Sequence, residues 1–283
     1  MTTRRRSGVD VAAMLRLIDL TDYIVPHTIR SIAELGVADQ LTAGPRPVEQ
    51  IAKAVEADPV ALLRALRALA CNGVFTEGPE GTFGLTPLAE LLRADHPYSM
   101  RANLAIDPAQ LYAWADYHET MRTGAPAYPR VHGRPYPGGA GATDRVEREA
   151  LATVFPADGI VTVEATGDVP PGADTYLLHR TLWTLPDSAA VELLARVRAA
   201  LPVTGRVLVF EPVHTPGEAP GLAALHDLFL LVFTGGKVRT HAELAELFAA
   251  ADLRCAATYP TTFFPIVEAV PCEAARAEGI PCR

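Results

Sequence analysis

Apolar residues recur at helical spacing from the start of the chain. Val11, Met14, Leu15 and Ile18 stand at i, i+3, i+4 and i+7, and Ile24, Val25, Ile29, Ile32, Ala33 and Leu35 extend the pattern until Gly36 interrupts it. The spacing predicts two packed helices. Val48 to Val55 predicts a short third one. Asp58 and Pro59 supply an N-cap and a first-turn proline for a fourth, which carries Leu62, Leu63, Leu66 and Leu69 and is closed by Gly73. The period then changes. Val74 to Leu85, with Gly78, Pro79 and Gly81 at its centre, reads as a two-stranded hairpin, and Thr86-Pro87 opens another helix. Helices followed by a hairpin make a winged-helix pattern.

The second half has a different rhythm. Asp174 to His179 predicts a short buried strand, Ser188 to Leu201 a helix, and Gly205 to Phe210 a second strand; short connections between them imply a parallel sheet. Leu222 to Phe233 reads as an almost wholly apolar helix and Thr240 to Ala250 as an amphipathic one capped by Thr240. Leu253 to Val270 holds two strand-like runs around Pro260, and Ala150 to Phe155 reads as a further strand.

Charge and composition narrow the function. A winged helix can read DNA through residues such as Arg64 and Arg67, but a net charge of -8 lacks the basic footprint that displaces counterions from nucleic acid. Those arginines read instead as a solvated helix face. Apolar stretches such as Leu225 to Phe233 fall well short of the ~20 residues of a membrane helix, so no membrane span is expected. Arg4, Arg5 and Arg6 are not followed by the apolar core of a signal peptide. Cys71, Cys255, Cys272 and Cys282 have neither CxxC pairing nor histidines at zinc-ligand spacing, so the expectation is a reduced cytoplasmic protein without a metal site.

The runs ELGVADQL from Glu34, ADPVALLRALRALACNGVFTE and FGLTPLAELLRADHPYSMRA resemble the dimerisation domain of class I S-adenosylmethionine-dependent O-methyltransferases of the bacterial natural-product type. GADTYLLHRTLWTLPD, GRVLVFEPV, DLFLLVFTGGKVRT and the closing IVEAV are similar to the catalytic domain of the same family. The resemblance implies an α/β chain: a mostly helical winged-helix dimerisation domain over residues 1–125, then a truncated Rossmann-like methyltransferase domain over 126–283. It also implies a homodimer with a small-molecule substrate.

Two departures from the family pattern bear on activity. The family's cofactor site needs an apolar strand, a glycine-rich turn and an acidic residue ending the next strand. Only about 50 residues separate Thr123 from the Asp174 strand, whereas two strand-helix units need about 60, so at least one unit is missing or collapsed. Gly138, Gly139 and Gly141 resemble the glycine turn, but HGRPYP before them carries two prolines and an arginine and cannot be the buried strand. The alternative is a splice loop. The other departure is chemical: the family's base histidine aligns with Trp183, whose indole N–H cannot accept a proton at neutral pH. One of two flanking carboxylates aligns with Val238, the other with Glu268, and the lysine preceding the motif aligns with His179.

From this follow the expectations that S-adenosylmethionine binding is lost, with no cofactor, and that the chain is a secondary-metabolite tailoring protein catalysing a cofactor-independent cyclisation, isomerisation or elimination. A catalytically silent scaffold for a biosynthetic enzyme partner is the second reading, and an O-methyltransferase with an unusual cofactor mode the third. Glu268, in an apolar strand, must find a partner or take a raised pKa, and is the first acid-base candidate. His226 and Asp227 follow, on the helix that lines the family's substrate pocket; the alternative is a buried pair holding that helix. Trp183, Tyr112, Trp114, His118, Phe229 and Phe233 are the candidate substrate contacts, although core packing explains the aromatics as well.

Overall fold

A computed structural model describes residues 10–105, 107–138, 144–156, 158–215, 217 and 221–272. Its described residues form two compact units, 10–105 and 107–272. The N-terminal unit contains α1 (Val11–Thr21), α2 (Ile24–Leu35), β1 (Arg46–Pro47), α3 (Val48–Ala54), α4 (Pro59–Cys71), β2 (Phe75–Glu77), β3 (Thr82–Leu85) and α5 (Pro87–Glu90). The helices start where the sequence places their caps: Asp58 accepts from the Ala61 N–H at 2.8 Å and Thr86 from the Ala89 N–H at 3.3 Å. β1, β3 and β2 form the antiparallel wing in that order. Ile32, Leu41, Ile51, Leu66, Leu69, Phe75 and Phe83 make a common core beneath it, each worth roughly 1.5–3 kcal/mol when fully buried.

α1 contributes nothing to that core. None of its residues is buried, and Leu15, Ile18 and Leu20 are 58%, 57% and 64% exposed, with Ile24 at the head of α2 62% exposed. Packing therefore does not hold an 11-residue helix that is marginal alone. Asp10 caps it through the Ala13 N–H at 3.0 Å.

The C-terminal unit contains α6 (Pro108–Ala115), α7 (Tyr117–Thr123), α8 (Ala127–His132), α9 (Asp144–Val154), β4 (Ile160–Thr162), β5 (Thr175–His179), α10 (Asp187–Ala200), β6 (Arg206–Phe210), β7 (Val213–His214), α11 (Leu222–Phe233), β8 (Arg239–Thr240), α12 (His241–Ala250), β9 (Leu253–Tyr259) and β10 (Ile266–Pro271). The main sheet runs β4-β5-β6-β10-β9, parallel from β4 to β6 and antiparallel on both sides of β10. Side chains alternate as period two demands. Tyr176, Leu178, Val207 and Val209 join the core beneath α10 and α12, while Leu177, Leu208 and Phe210 meet Leu151 and Phe155 from the α9 segment on the other face.

The stretch Ala150 to Phe155, expected as a strand, is the end of α9 and the residue after it. Ala150, Leu151, Val154 and Phe155 fall at i, i+1, i+4 and i+5, so a helical stripe of apolar residues overrides the β preference of Val154 and Phe155. Among the described residues, the three-residue β4 is the one strand that precedes β5 in the sheet. Cys71 and Cys255 are free thiols, but Cys272 is disulfide-bonded, which corrects the expectation of a fully reduced set. No helix among the described residues is long and apolar enough to cross a membrane.

Candidate functional site

Ligand sites in open α/β sheets lie beyond the C-terminal ends of the parallel strands, and charged residues gather there in this chain. β5 ends at His179, and Arg180 turns the chain with a φ of 52°. Its backbone N–H is held by the Phe210 carbonyl at 3.0 Å. From α9, the fully buried Glu147 receives His179 Nε2 at 2.6 Å and a short bond from Arg180, whose other terminal nitrogen meets Asp144 at 3.2 Å. A buried carboxylate persists only when paired this closely. The ligand atoms of Asp144, Glu147 and His179 lie within 4.8 Å of one another, close enough for one cation. Arg180 already bridges the two carboxylates there.

Next in sequence is the turn Leu182–Thr184, which presents Trp183. Two segments fix it, one holding Glu211 and the other running from Gly236 to Arg239. The Trp183 N–H donates to Glu211 Oε2 at 3.1 Å, and the Trp183 carbonyl accepts from the Lys237 N–H at 3.0 Å. A Cβ on Gly236 would sit 2.0 Å from that carbonyl oxygen, so only glycine permits the approach. Arg239, whose side chain has no exposed surface, donates to the carbonyls of Leu182 and Leu185, both at 2.7 Å, and to Asp187 at 2.9 Å. Burial pushes the Glu211 carboxyl up to about 7, against the opposing pull of the Trp183 and Leu182 N–H groups and of Arg239.

Trp183 is buried, and its ring lies 5.5 Å from the half-buried His226 ring at an interplanar angle of 31°. Phe264 meets His226 edge-on at 5.5 Å. The Arg180 guanidinium stands 6.0 Å from the Trp183 ring and 5.7 Å from Phe264. The imidazole thus lies beside position 183, reached from α11. The Asp227 carboxylate accepts the Val238 N–H at 2.7 Å and so ties α11 to the residue that precedes β8.

Other expected site residues fall elsewhere. Glu268 finds a partner, as its burial requires, but mid-strand on β10, opposite Leu208, with Arg206 at 3.1 Å and the Tyr259 hydroxyl at 2.8 Å. Arg206 begins β6, whereas Glu211 follows its end. The carboxylate touching the Trp183 turn is therefore Glu211, which is absent from the residues expected on sequence grounds. The signal that points to it is its place: the first residue beyond a buried parallel strand. Trp114, Phe229 and Phe233 come together with Tyr128 and Tyr136 in an aromatic cluster, the Phe229 and Phe233 rings stacked at 4.4 Å. Tyr112 and His118 are exposed and take no part in it. Gly138 has a φ of 72° with open space around it, while Gly139 and Gly141 lie outside the described residues.

Residues 18–95 match the O-methyltransferase dimerisation domain and residues 152–254 the O-methyltransferase domain. The phenazine O-methyltransferase PhzM of Lysobacter antibioticus is 31% identical, over 96% of this chain and 100% of the relative. The chain belongs to the O-methyltransferase family. The alignment spans 340 positions against a chain of 283, so this family member lacks counterparts for part of its relative. The crystal structure of LaPhzM superposes with a TM-score of 0.81 at 29% identity, covering 93% of this chain and 100% of that one. The methyltransferase NcsB1 of neocarzinostatin biosynthesis, solved with S-adenosylmethionine and 2-hydroxy-5-methyl naphthoic acid, gives 0.67 at 26% identity, covering 90% and 98%.

These relatives overturn two expectations. Relatives named as O-methyltransferases align along nearly the whole of this family member, and none of the comparisons supports a cofactor-independent cyclase or a silent scaffold. The inference from a missing histidine at position 183 to a missing reaction fails, because one side chain is weak evidence against likeness along the entire fold. The expectation of no cofactor falls with it, since structural neighbours carry S-adenosylmethionine or its demethylated product. In this chain the strand-end edge holds suitable groups, carboxylates for hydroxyls or an ammonium, but Glu147 and Asp144 are engaged by His179 and Arg180.

Proposed function

We propose that this chain transfers a methyl group to a hydroxyl of an aromatic small molecule and works as a homodimer built on its N-terminal unit. The observation that carries the reading is the match to both family domains in the family's order, with a phenazine O-methyltransferase aligned over its full length. An aromatic substrate is supported by the relatives, the phenazine O-methyltransferase of Lysobacter antibioticus and NcsB1 solved with 2-hydroxy-5-methyl naphthoic acid. The methyl donor enters through the relatives alone.

Incubating the full chain with methyl-labelled S-adenosylmethionine and 2-hydroxy-5-methyl naphthoic acid, or simpler phenols, is expected to give a labelled methyl ether by mass spectrometry. Labelled donor returned unchanged across the whole set would end this reading. The dimer is supported by the exposed apolar face of α1 and the start of α2, and by a groove of about 340 Å³ between α2 and α4. Light scattering at micromolar concentration is expected to give twice the chain mass. Leu15→Glu together with Ile18→Glu should yield a folded monomer, because neither side chain belongs to the unit's own core.

A further inference from the structure

Glu147 sits in the C-terminal unit as a ligand sits in a site: its carboxylate comes from one helix and is gripped at both oxygens by basic groups from another element. We propose that His179 and Arg180 form a binding site for the carboxylate of a small aromatic acid, and that α9 keeps this site closed by supplying Glu147 as a tethered internal occupant until such an acid takes its place. This deepens the methyltransferase reading by adding an acid group to its substrate, and it rests on that reading for its biological use. The aromatic part comes from that reading; the carboxylate comes from the site.

Three observations carry the assignment. The first is the grip. Glu147 Oε2 meets His179 Nε2 at 2.6 Å and Oε1 accepts from Arg180, so two donors address the two oxygens of a single carboxylate. The second is where the donors stand. His179 ends β5 and Arg180 follows it, at the carboxyl edge of the parallel strands where ligands of open α/β sheets bind. Arg180 holds a φ of 52°, a left-handed conformation that a non-glycine residue keeps only where its surroundings impose it, as they do at ligand clamps. The third is how lightly α9 is held. Of its 11 residues only Glu147 and Leu151 are buried. Its stripe Val146, Glu149, Ala150 and Thr153 lines an open cleft of about 550 Å³ facing residues 260–262 instead of packing against that loop.

Exchange needs only the start of α9 to open. Asp144 and Glu147 both stand in its first turn, whereas Leu151 and Phe155 anchor the far end on the sheet face with Leu177 and Phe210. A helix end opens more readily than a helix centre, because its first backbone N–H groups have no partner within the helix. In the closed state the charge of Arg180 is taken up by Glu147 and Asp144. In the open state the carboxylate of the ligand replaces that of Glu147 on the same two donors, so no buried charge is left unpaired, and the released Glu147 carboxylate passes to water. No covalent bond is made or broken. The affinity measured for an acid is then its intrinsic affinity lowered by the fraction of molecules in which the site stands open.

Calorimetry with salicylate and its uncharged analogue salicylamide tests the exchange without any methyl donor. Glu147→Gln keeps the shape of the internal occupant and removes its charge. It should bind salicylate about tenfold more tightly than the wild-type chain does, with the affinity for salicylamide unchanged. Adding Arg180→Met should take that gain away. Asp144→Asn loosens the same turn from a partly exposed position and should give a gain in the same direction, which keeps the test open where the buried substitution disturbs the fold. In the wild-type chain, saturating salicylate should quicken hydrogen exchange at the amides that begin α9. No binding of salicylate by any of these chains, equal salicylate affinity in all of them, an equal gain for salicylamide, or α9 exchange that does not quicken would each overturn the proposal. Methyl transfer without the gain would remove the acid site and leave the transferase reading standing. The gain without methyl transfer would uphold the acid site and remove the transferase reading.

Discussion

Replacing Arg239 by methionine is expected to destabilise the C-terminal unit by about 1–3 kcal/mol, the cost of leaving a buried backbone acceptor without its donor. Methionine keeps the apolar stem and deletes only the guanidinium. What remains is a Leu185 carbonyl that has lost its 2.7 Å donor, a Leu182 carbonyl left with the Leu185 N–H, and a half-exposed Asp187 carboxylate left with Lys237. An unsatisfied buried acceptor costs roughly 1–3 kcal/mol. The loss should appear in urea melts as a lower midpoint with an unchanged slope, because the unfolded chain exposes the same surface. A change below about 1 kcal/mol would mean that water or another donor reaches those carbonyls. Arg239→Lys should fall between, since one ammonium cannot span three acceptors with the fork geometry of a guanidinium.

Glu211→Gln is expected to remove a fall in stability with pH. The Glu211 carboxyl is raised to about 7 by burial, whereas in the unfolded chain it titrates near 4.5. Below 4.5 both states hold the proton and the group contributes no difference. Between the two values the unfolded chain releases its proton while the folded chain keeps it, so stability declines as pH rises; above about 7 the decline is complete. At roughly 1.4 kcal/mol per pH unit, the full decline is about 3 kcal/mol. Glutamine can still accept the Trp183 N–H through its carbonyl and has no proton to lose. The gap between variant and wild type should therefore widen in favour of the variant from pH 4.5 to 8. Parallel stability curves would show that Glu211 carries the same charge in both states.

Elements with a strong local signal are legible in the amino-acid sequence. The N-terminal helices follow from their 3.6-residue apolar period, and α4, α5 and α12 from capping residues that make the bonds expected of them, including a full capping box between Thr240 and Glu243. The parallel pair β5 and β6 follows from two apolar runs flanking one helix. The site is legible only where its residues are neighbours along the chain. Glu147 meets His179 and Arg180 from 32 and 33 positions away, and Arg206 meets Glu268 across 62, distances over which no periodicity carries information. The approach of His226 to Trp183 is of the same kind, made by α11 folding back over the turn. The end of α9 reads as a strand because its β-branched and aromatic residues, taken without the helical stripe they complete, carry a β preference.

The sheet also has a consequence for synthesis on the ribosome. β10 lies between β6 and β9, and it is the last of the five strands to be made. Until Ile266–Pro271 has cleared the exit tunnel, β6 presents one unpaired row of N–H and C=O groups and β9 has no partner in the sheet. An open, apolar strand edge of that kind pairs readily with other chains. A stop codon only slightly upstream of Ile266 would therefore yield an aggregating polypeptide rather than a slightly shorter enzyme.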